Sequence, residues 1–268
     1  MPLTADDLPQ HCSNFIHLRT RWTRRILNCI DENTTTGPDF LPGRILKRCA
    51  TALAFPITAL VRFIIQVCMW PSLWKLHWML PLHKKKKKSD PLNYRGIHIT
   101  SILSKVAERL IGIPLLTFFD AVDGYGISQW AFRKKHSAQD LIGLLICTWL
   151  LAMRQRKKIG IFLSDIQGAF DFVDSNRLIA KLELLGLSGK LLGFVKSFLA
   201  PRVAKIIVQG SFSREISLTN MVFQGTVLGP PMWNTFLRMF RTDWRGLITR
   251  RPNMRTICRC LNYLMLRF

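Results

Sequence analysis

Hydrophobic positions in the first third of the chain recur with the spacing of helices. After a Thr-Gly-Pro-Asp turn signal at 36–39, two apolar series at 45–55 and 57–65 repeat every three or four residues. Pro56 stands between them, and because proline lacks a backbone N–H, we expect it to kink or divide the two helices. Residues 1–30 show no clear pattern and are rich in arginine.

The middle of the chain predicts a strand and two helices. A run of five lysines at 84–88 precedes a short strand at 94–100 and a helix at 101–111. The most apolar stretch, 141–153, is shorter than the roughly 20 residues that a membrane span needs. It therefore predicts a core helix, and no transmembrane segment is expected.

Strands and helices alternate through the second half. An apolar run at 159–163 predicts a buried strand. Asp174 or Ser175 should cap a helix that Gly186 ends, and a further helix at 191–199 should close at Pro201.

The remaining pattern predicts a hairpin and a last helix. The hairpin joins 205–208 to 216–218 around Gln209-Gly210-Ser211, and Gln224-Gly225 forms a loop before a helix that begins after 229–231. Because strands and helices alternate without a strict βαβ period, the α+β class is favoured.

Charge and composition indicate a polyanionic partner. The chain has 268 residues, 49% of them hydrophobic, which is enough for a sizeable core. Its formal net charge is +23 and its pI is about 10.5. Such a surface usually binds phosphate backbones, although a basic protein of the ribosomal type is an alternative.

The cysteines and the N-terminal residues indicate the cellular compartment of the protein. The seven cysteines are odd in number, lie mostly among apolar residues and form no Cys-x-x-Cys pair. A reducing compartment is therefore expected and a structural zinc site is not. The first residues are polar and contain no secretory signal, so we expect a nuclear or cytoplasmic protein that is neither secreted nor transmembrane.

The sharpest candidate for chemistry is Asp165. It follows the predicted buried strand in Phe-Leu-Ser-Asp-Ile-Gln-Gly-Ala-Phe-Asp at 162–171. A carboxylate at the end of a buried strand is held firmly and can meet Mg²⁺, which prefers oxygen ligands and keeps substrate phosphates in its shell. The alternative is that Asp165 only ends the strand.

Five blocks in collinear order resemble the reverse transcriptases of non-LTR retrotransposons, of the LINE or Jockey type. The resemblance runs from about Thr36 to about Leu237. Its blocks are the turn at 36–42, Trp74-Lys75 with 81–85, 90–97 and 100–111, the segment 129–140, the segment 165–171, and Phe-Gln-Gly-Thr-Val-Leu-Gly-Pro at 223–230.

The resemblance implies a polymerase right hand that is incomplete. Its implied parts are a basic N-terminal segment at 1–30, fingers at 31–150, a partial palm at 151–236 and an arginine-rich tail at 237–268. By family the activity would be RNA-directed DNA polymerisation, with an RNA template, a DNA primer and deoxynucleoside triphosphates as partners. No membrane partner is expected.

The resemblance also implies roles for individual residues. Asp165 would be a catalytic, metal-binding aspartate, and the Ile166 carbonyl would also face Mg²⁺. The implied nucleotide-binding residues are Arg95, Phe170, Gln224 and Gly225, with Phe170 as a steric gate against ribose. The implied nucleic-acid-binding residues are Lys84, Lys85, Lys86, Lys87, Lys88, Arg133 and Lys134. A core role for Phe170, and solvated roles for Arg133 and Lys134, stay open.

Departures from the family pattern predict an inactive chain. Gly96 and Phe223 stand where the family usually has proline, and Gly168 where it has lysine. The family's aromatic-x-Asp-Asp motif is missing, because Asp243 is the only aspartate after Asp174. A palm truncated before its paired-aspartate hairpin, and without a thumb, cannot hold two metal ions through Asp165 alone. A non-enzymatic relic that at most binds nucleic acid is the alternative.

Residues 237–268 differ in composition from the rest of the chain. They contain eight arginines and no lysine. This shift, at the point where the resemblance stops, favours a segment translated out of the ancestral frame. A genuine basic tail is the alternative.

Overall fold

The computed structural model describes residues 18–85, 87–126, 129–159, 166 and 168–248, with side chains as far as residue 238. This part of the chain combines helices with one sheet, which confirms the α+β class. The helices are α1 Thr20–Asn28, α2 Gly43–Arg48, α3 Ala50–Gln66, α4 Ile102–Ala121, α5 Ala138–Arg154, α6 Ser175–Leu184, α7 Gly189–Leu199 and α8 Gly229–Ile248. The strands are β1 Leu76–His83, β2 Tyr94–Ile99, β3 Arg202–Val208, β4 Ser211–Phe212 and β5 Ile216–Leu218.

The sheet joins the two halves of the chain. β1 and β2 form an antiparallel pair in which His83 lies opposite Tyr94, so the lysine run is the connection between them. β3 lies parallel to β1 on its other side, with Leu76 opposite Val203. β4 and β5 both pair antiparallel with β3. One sheet therefore contains strands from both the predicted fingers and the predicted palm.

The main core lies among the helices and is centred on aromatic side chains. Trp70 is almost fully buried, and its ring makes edge contacts with Trp74, Phe194 and Phe198 at centroid distances of 5.0 to 5.7 Å. Its backbone N–H donates to the Ser197 hydroxyl at 2.8 Å. These contacts fix α7 against the start of β1, so the helical core supports the sheet directly.

Several predicted boundaries are confirmed. The Asp174 carboxylate accepts the Arg177 N–H at 2.9 Å and caps α6, and Gly186 follows that helix with a φ of 91°. In the hairpin, Gln209 and Gly210 have φ angles of 49° and 81°, the paired positive values that a tight two-residue turn requires.

The predicted division at Pro56 is wrong. Pro56 lies inside α3, which is continuous from 50 to 66, and the break between α2 and α3 falls at Cys49. The missing proline N–H removes one hydrogen bond from the helix. The buried face of α3, which includes Ile57, Val61 and Ile64, outweighs that loss through its packing against the core.

Helix α1 lies where no element is predicted, because arginines obscure its apolar face. Thr23 and Leu27 are its buried residues, and Thr23 Oγ1 shares a 2.5 Å hydrogen bond with Thr58 Oγ1 of α3. The Arg62 guanidinium also donates to the Leu18 carbonyl just before α1. Two polar contacts and a narrow apolar stripe are enough to dock the helix.

The 141–153 stretch forms helix α5 as predicted, but its core location is wrong. Leu145 is the one buried residue of α5, whereas Leu150, Leu151 and Met153 are about 60% exposed. An apolar run predicts that a helix packs against a partner surface. The described elements do not cover the apolar residues of α5. No described helix has the length and apolarity that crossing a membrane requires. The strand predicted at 159–163 lies outside the described residues except for residue 159.

Candidate nucleotide and nucleic-acid site

Hydrogen bonds hold the described residues of the lysine run between β1 and β2. The Lys84 N–H donates to the Asn93 carbonyl at 2.8 Å, and the Asn93 side-chain amide donates to the Lys87 carbonyl at 2.9 Å. The Tyr94 hydroxyl donates to the Lys88 carbonyl at 2.9 Å. Lys84, Lys85, Lys87 and Lys88 are all exposed. Lys86 lies outside the described residues.

An open pocket of about 700 Å³ lies at the base of this loop. Its lining residues are Leu82, His83, Lys84, Lys85, Leu92, Asn93 and Arg95. In the part of the chain that the structure describes, the cationic groups of Lys84, Lys85 and Arg95 form no ion pair with a carboxylate. Three uncompensated cations around one pocket suit an anion with several charged oxygens, such as a phosphate chain.

The Gln224-Gly225 turn packs against the far end of β2. Gly225 has a φ of 76°, and a Cβ at this position would lie 2.5 Å from the His98 carbonyl oxygen. Glycine is therefore required both by the backbone angle and by the close approach. Gln224 Nε2 donates to Asp171 Oδ1 at 3.1 Å, which links the turn to the loop at 168–172.

Strand β2 brings the predicted nucleotide residues into one region. Arg95 lies three residues before His98, so their Cα atoms are about 10 Å apart along the strand. The turn meets β2 at the backbone carbonyl of His98, so the strand links the turn to Arg95. The cationic pocket and the Gln224-Gly225 turn thus share β2 as a common support.

A buried carboxylate holds the backbone just beyond this turn. Glu108 of α4 is fully buried, and its Oε2 accepts the N–H groups of Val227 and Leu228 at 2.6 and 3.0 Å. Burial raises the pKa of the Glu108 carboxyl, whereas the Arg202 charge and the two backbone hydrogen bonds act to lower it. Burial outweighs these opposing effects, so the pKa of Glu108 lies above its ordinary value. Two backbone donors satisfy its Oε2, whereas its buried Oε1 has no hydrogen-bond partner among the described residues.

Arg202 is the centre of a buried polar network on the sheet. It is 2% exposed, and its guanidinium lies 4.0 Å from the Phe223 ring centroid and 4.6 Å from that of Phe198. One Nη donates to the Phe198 carbonyl at 3.0 Å and the other to His77 Nε2 at 2.9 Å. Burial lowers the pKa of Arg202 to about 10, and Glu108 acts in the opposite direction.

The direction of donation fixes the tautomers of two histidines. Because a guanidinium can only donate, His77 Nε2 must accept, and His77 carries its proton on Nδ1. His77 Nδ1 then donates to His98 Nδ1 at 3.1 Å, so His98 carries its proton on Nε2. Burial, followed by the Arg202 charge, lowers the pKa of His77 to about 2, and burial also lowers that of His98.

Phe170 lies beside the same turn and is half-buried. Its ring is 5.8 Å from that of Trp233 and 6.4 Å from that of Phe132, and its carbonyl accepts the Val222 N–H at 2.9 Å. These contacts give Phe170 a packing role in the core. Its function as a steric gate stays a prediction.

The predicted metal ligands are only partly described. Asp165 lies outside the described residues, and Ile166 is an exposed residue without regular structure. Gly168 has a φ of 61°, and a Cβ there would lie 2.5 Å from the Phe172 ring, which explains a glycine at this position. No group of three or more metal-ligating side chains occurs among the described residues, so they do not make up a metal site.

Arg133 and Lys134 differ in their surroundings. The Arg133 guanidinium donates to the Gly126 carbonyl at 3.2 Å, lies 3.8 Å from the Asp120 carboxylate and stands 6.0 Å above the Tyr125 ring. Arg133 therefore holds the segment after α4 together. Lys134 is exposed, and the contact of either residue with nucleic acid stays a prediction.

Sequence patterns did not single out the residues that support the turn. Asp171 ends the 162–171 segment without a predicted role, and His77, His98 and Arg202 lie in strands whose pairing the local sequence does not reveal. A signal existed for Glu108, which lies on the same buried stripe of α4 as the apolar residues Ile111 and Leu115. A carboxylate on such a stripe requires buried donors.

Comparison with known proteins identifies the family. The family "Reverse transcriptase (RNA-dependent DNA polymerase)" matches residues 83–264, which is more than half of the chain. The chain belongs to this reverse transcriptase family, and the predicted resemblance to the non-LTR, Jockey type is confirmed. The family uses divalent metal ions. The matched range includes most of 237–268, the segment expected to lie outside the resemblance.

Three relatives from Drosophila melanogaster illustrate the similarity. The chain is 31% identical over 194 residues to the probable RNA-directed DNA polymerase from transposon BS, an alignment covering 70% of the chain and 21% of that protein. It is 31% identical over 202 residues to the RNA-directed DNA polymerase from mobile element jockey, covering 75% and 22%. It is 28% identical over 203 residues to the probable RNA-directed DNA polymerase from transposon X-element, covering 75% and 22%. The chain spans about a fifth of the length of these relatives.

Proposed function

We propose that the chain supplies the fingers and part of the palm of an RNA-directed DNA polymerase of non-LTR retrotransposon type. Its substrates would be an RNA template, a DNA primer and deoxynucleoside triphosphates. The observation that carries the proposal is the pocket in which Lys84, Lys85 and Arg95 converge without carboxylate partners among the described residues. Such a pocket suits a triphosphate or a nucleic-acid backbone.

Individual roles follow from the surroundings of each residue. Arg95, helped by Lys84, would bind the triphosphate, while the lysines at 85–88 and Lys134 would contact template and primer phosphates. Gln224 and Gly225, with Phe170 beside them, would line the space for sugar and base. Asp165 and the Ile166 carbonyl are the proposed ligands of Mg²⁺, which would polarise the reacting phosphate when bound.

For the 268-residue chain itself we propose binding without synthesis. Its sequence has no paired aspartates after Asp174. Binding of substrates needs only the cationic pocket and the turn, whereas transfer of a nucleotide needs two metal ions held in place. The second candidate function is sequence-independent nucleic-acid binding alone. The cationic pocket and the lack of paired aspartates favour it as well.

A binding experiment tests the proposal. Fluorescence anisotropy would follow a labelled RNA–DNA duplex and, separately, mant-dATP in the presence of Mg²⁺. Replacing Lys84, Lys85 and Arg95 with glutamine should weaken both interactions at least tenfold. A control that replaces Lys157, Lys158 and Lys190, three cations exposed elsewhere, should weaken them less than threefold. Equal losses in the two variants would mean that only total charge matters and that the pocket is not a site.

A further inference from the structure

The six residues of the turn at 223–228 are held by contacts with β2, β3, α4 and the loop at 168–172. Phe223 stacks on Arg202 of β3, and Gly225 presses on the His98 carbonyl of β2. Within the turn, the Thr226 hydroxyl donates to the Phe223 carbonyl at 2.6 Å. The turn is thus a fixed structure, although its ends lie in loops.

Glu108 makes the contact that closes the turn. Its Oε2 takes both Val227 and Leu228 N–H groups, which come directly before α8 begins at Gly229. These N–H groups belong to the start of a helix, where no intrahelical acceptor is available, so a side chain must supply one. Leaving a buried N–H without an acceptor costs about 1–3 kcal/mol.

The positive charge of Arg202 offsets part of the free-energy cost of burying the Glu108 carboxylate. Both side chains are almost fully removed from water, and an isolated buried charge would be strongly unfavourable. Arg202 favours the ionised form of Glu108, and Glu108 favours the charged form of Arg202. The same guanidinium stacks on Phe223, the first residue of the turn. Glu108 therefore restrains the end of the turn through two hydrogen bonds, and Arg202 restrains its start by stacking on Phe223.

We propose that Glu108 is a positioning residue for nucleotide binding, because its two hydrogen bonds fix the turn that carries Gln224 and Gly225. Glu108 does not touch the nucleotide. It sets the backbone path on which the Gln224 amide and the Gly225 surface are presented. This inference rests on the proposed nucleotide pocket and adds a buried residue that controls it.

A purely structural role would give a different result. If Glu108 only stabilised the fold, its loss would lower the melting temperature but leave the nucleotide affinity of the folded molecules unchanged. If it positions the turn, affinity for mant-dATP falls in molecules that are still folded. Affinity for an RNA–DNA duplex, which depends on the lysine loop, should change little in the same variant.

The experiment compares Glu108→Ala, Glu108→Gln and Glu183→Ala, an exposed glutamate on α6 that serves as the matched control. Measurements are mant-dATP affinity, RNA–DNA duplex affinity, and hydrogen exchange at the Val227 and Leu228 amides, all on the full chain. Circular dichroism confirms that each sample is folded. Glutamine keeps a carbonyl oxygen for the two N–H groups, so it should act as the rescue variant.

We expect Glu108→Ala to weaken mant-dATP binding about tenfold and to speed exchange at the two amides by at least as much. Glu108→Gln and Glu183→Ala should stay within threefold of the wild-type affinity, and duplex binding should stay within threefold in all variants. Unchanged mant-dATP affinity in a folded Glu108→Ala variant would overturn the inference alone. Failure of the wild-type chain to bind mant-dATP would instead overturn the nucleotide pocket, and the inference with it.

Discussion

Gln224 Nε2 donates a hydrogen bond to Asp171 Oδ1 at 3.1 Å, joining two loops that lie 53 residues apart in the chain. The bond fixes the Gln224 amide, because its NH₂ group faces the carboxylate and its carbonyl oxygen must face away. The oxygen of Gln224 is therefore presented as an acceptor on the open side of the turn. A hydroxyl or base donor of a nucleotide would meet it there.

Removing this bond should affect nucleotide binding more than stability. Because the Asp171–Gln224 contact is exposed, we expect Asp171→Ala to lower unfolding free energy by less than about 1 kcal/mol. We expect mant-dATP affinity to fall three- to tenfold as the amide becomes free to rotate. The exposed Glu215→Gln variant serves as a control of equal charge change. An Asp171→Ala chain that binds mant-dATP like the wild type would show that the amide is not used.

The parts of the fold that depend on local sequence were predictable. The Asp174 cap, the turn at Gln209-Gly210 and the loop before α8 each rest on a few adjacent residues, and each is confirmed. Pro56 shows the limit of such rules. A local helix breaker is overridden when the rest of the helix buries a continuous apolar face.

The supporting network of the candidate site was not predictable, because it depends on pairing between distant strands. His77 and Arg202 are 125 residues apart and meet only since β1 and β3 lie side by side in parallel. The resemblance to a known family identified Gln224 and Gly225 as candidate site residues. It did not identify the buried side chains that support them. For α5, composition predicted a buried helix, whereas burial depends on what covers it.

The chain should not synthesise DNA. Two metal ions are needed to activate the attacking oxygen and stabilise the leaving group, and the sequence has no paired aspartates to accompany Asp165. In a primer-extension assay on an RNA template with Mg²⁺ or Mn²⁺, we expect no product. Processive incorporation of deoxynucleotides that Asp165→Asn abolishes would contradict this expectation.

Nucleic-acid binding should be weak, independent of sequence and steeply dependent on salt. Each phosphate contact contributes roughly 0.7 to 0.9 to the slope of log affinity against log salt. Replacing the five lysines at 84–88 with glutamine should flatten that slope by about 2 to 4. Titrations of a labelled RNA–DNA duplex at several salt concentrations measure it. Affinity that does not change with salt would argue against a phosphate-binding surface.

Phe170 allows a test that separates packing from substrate selection. Because the ring is half-buried against Trp233, we expect Phe170→Ala to destabilise the chain by about 1–3 kcal/mol. If the ring is also a steric gate, the variant should lose any preference for mant-dATP over mant-ATP, whereas Phe170→Tyr should keep it. Denaturant unfolding and the two nucleotide affinities give the answer. A preference unchanged in Phe170→Ala would leave only the packing role.

Stability should fall as the pH drops below the ordinary pKa of histidine, and His77 should account for much of the change. Burial, with help from the charges of Arg202, His98 and Lys105, lowers the pKa of His77 in the folded chain to about 2, against 6.5 in the unfolded chain. Between these values the unfolded chain binds a proton that the folded chain does not. Stability contributed by the neutral ring is therefore complete above pH 6.5 and is lost as the pH falls toward 2.

A matched variant isolates this effect. One group in this situation gives a slope of about 1.4 kcal/mol of unfolding free energy per pH unit. His77→Gln keeps an oxygen that can accept from Arg202 but cannot take up the proton, so the slope between pH 6 and pH 4 should shrink by about that amount. At pH 8, where His77 is neutral in both states, the variant should differ from the wild type only by a constant loss of packing and hydrogen bonding. Urea unfolding at pH 4, 5, 6 and 8 measures both quantities. Equal slopes in the two proteins would mean that His77 is protonated in the folded chain, and the assigned direction of donation from Arg202 through His77 to His98 would then be wrong.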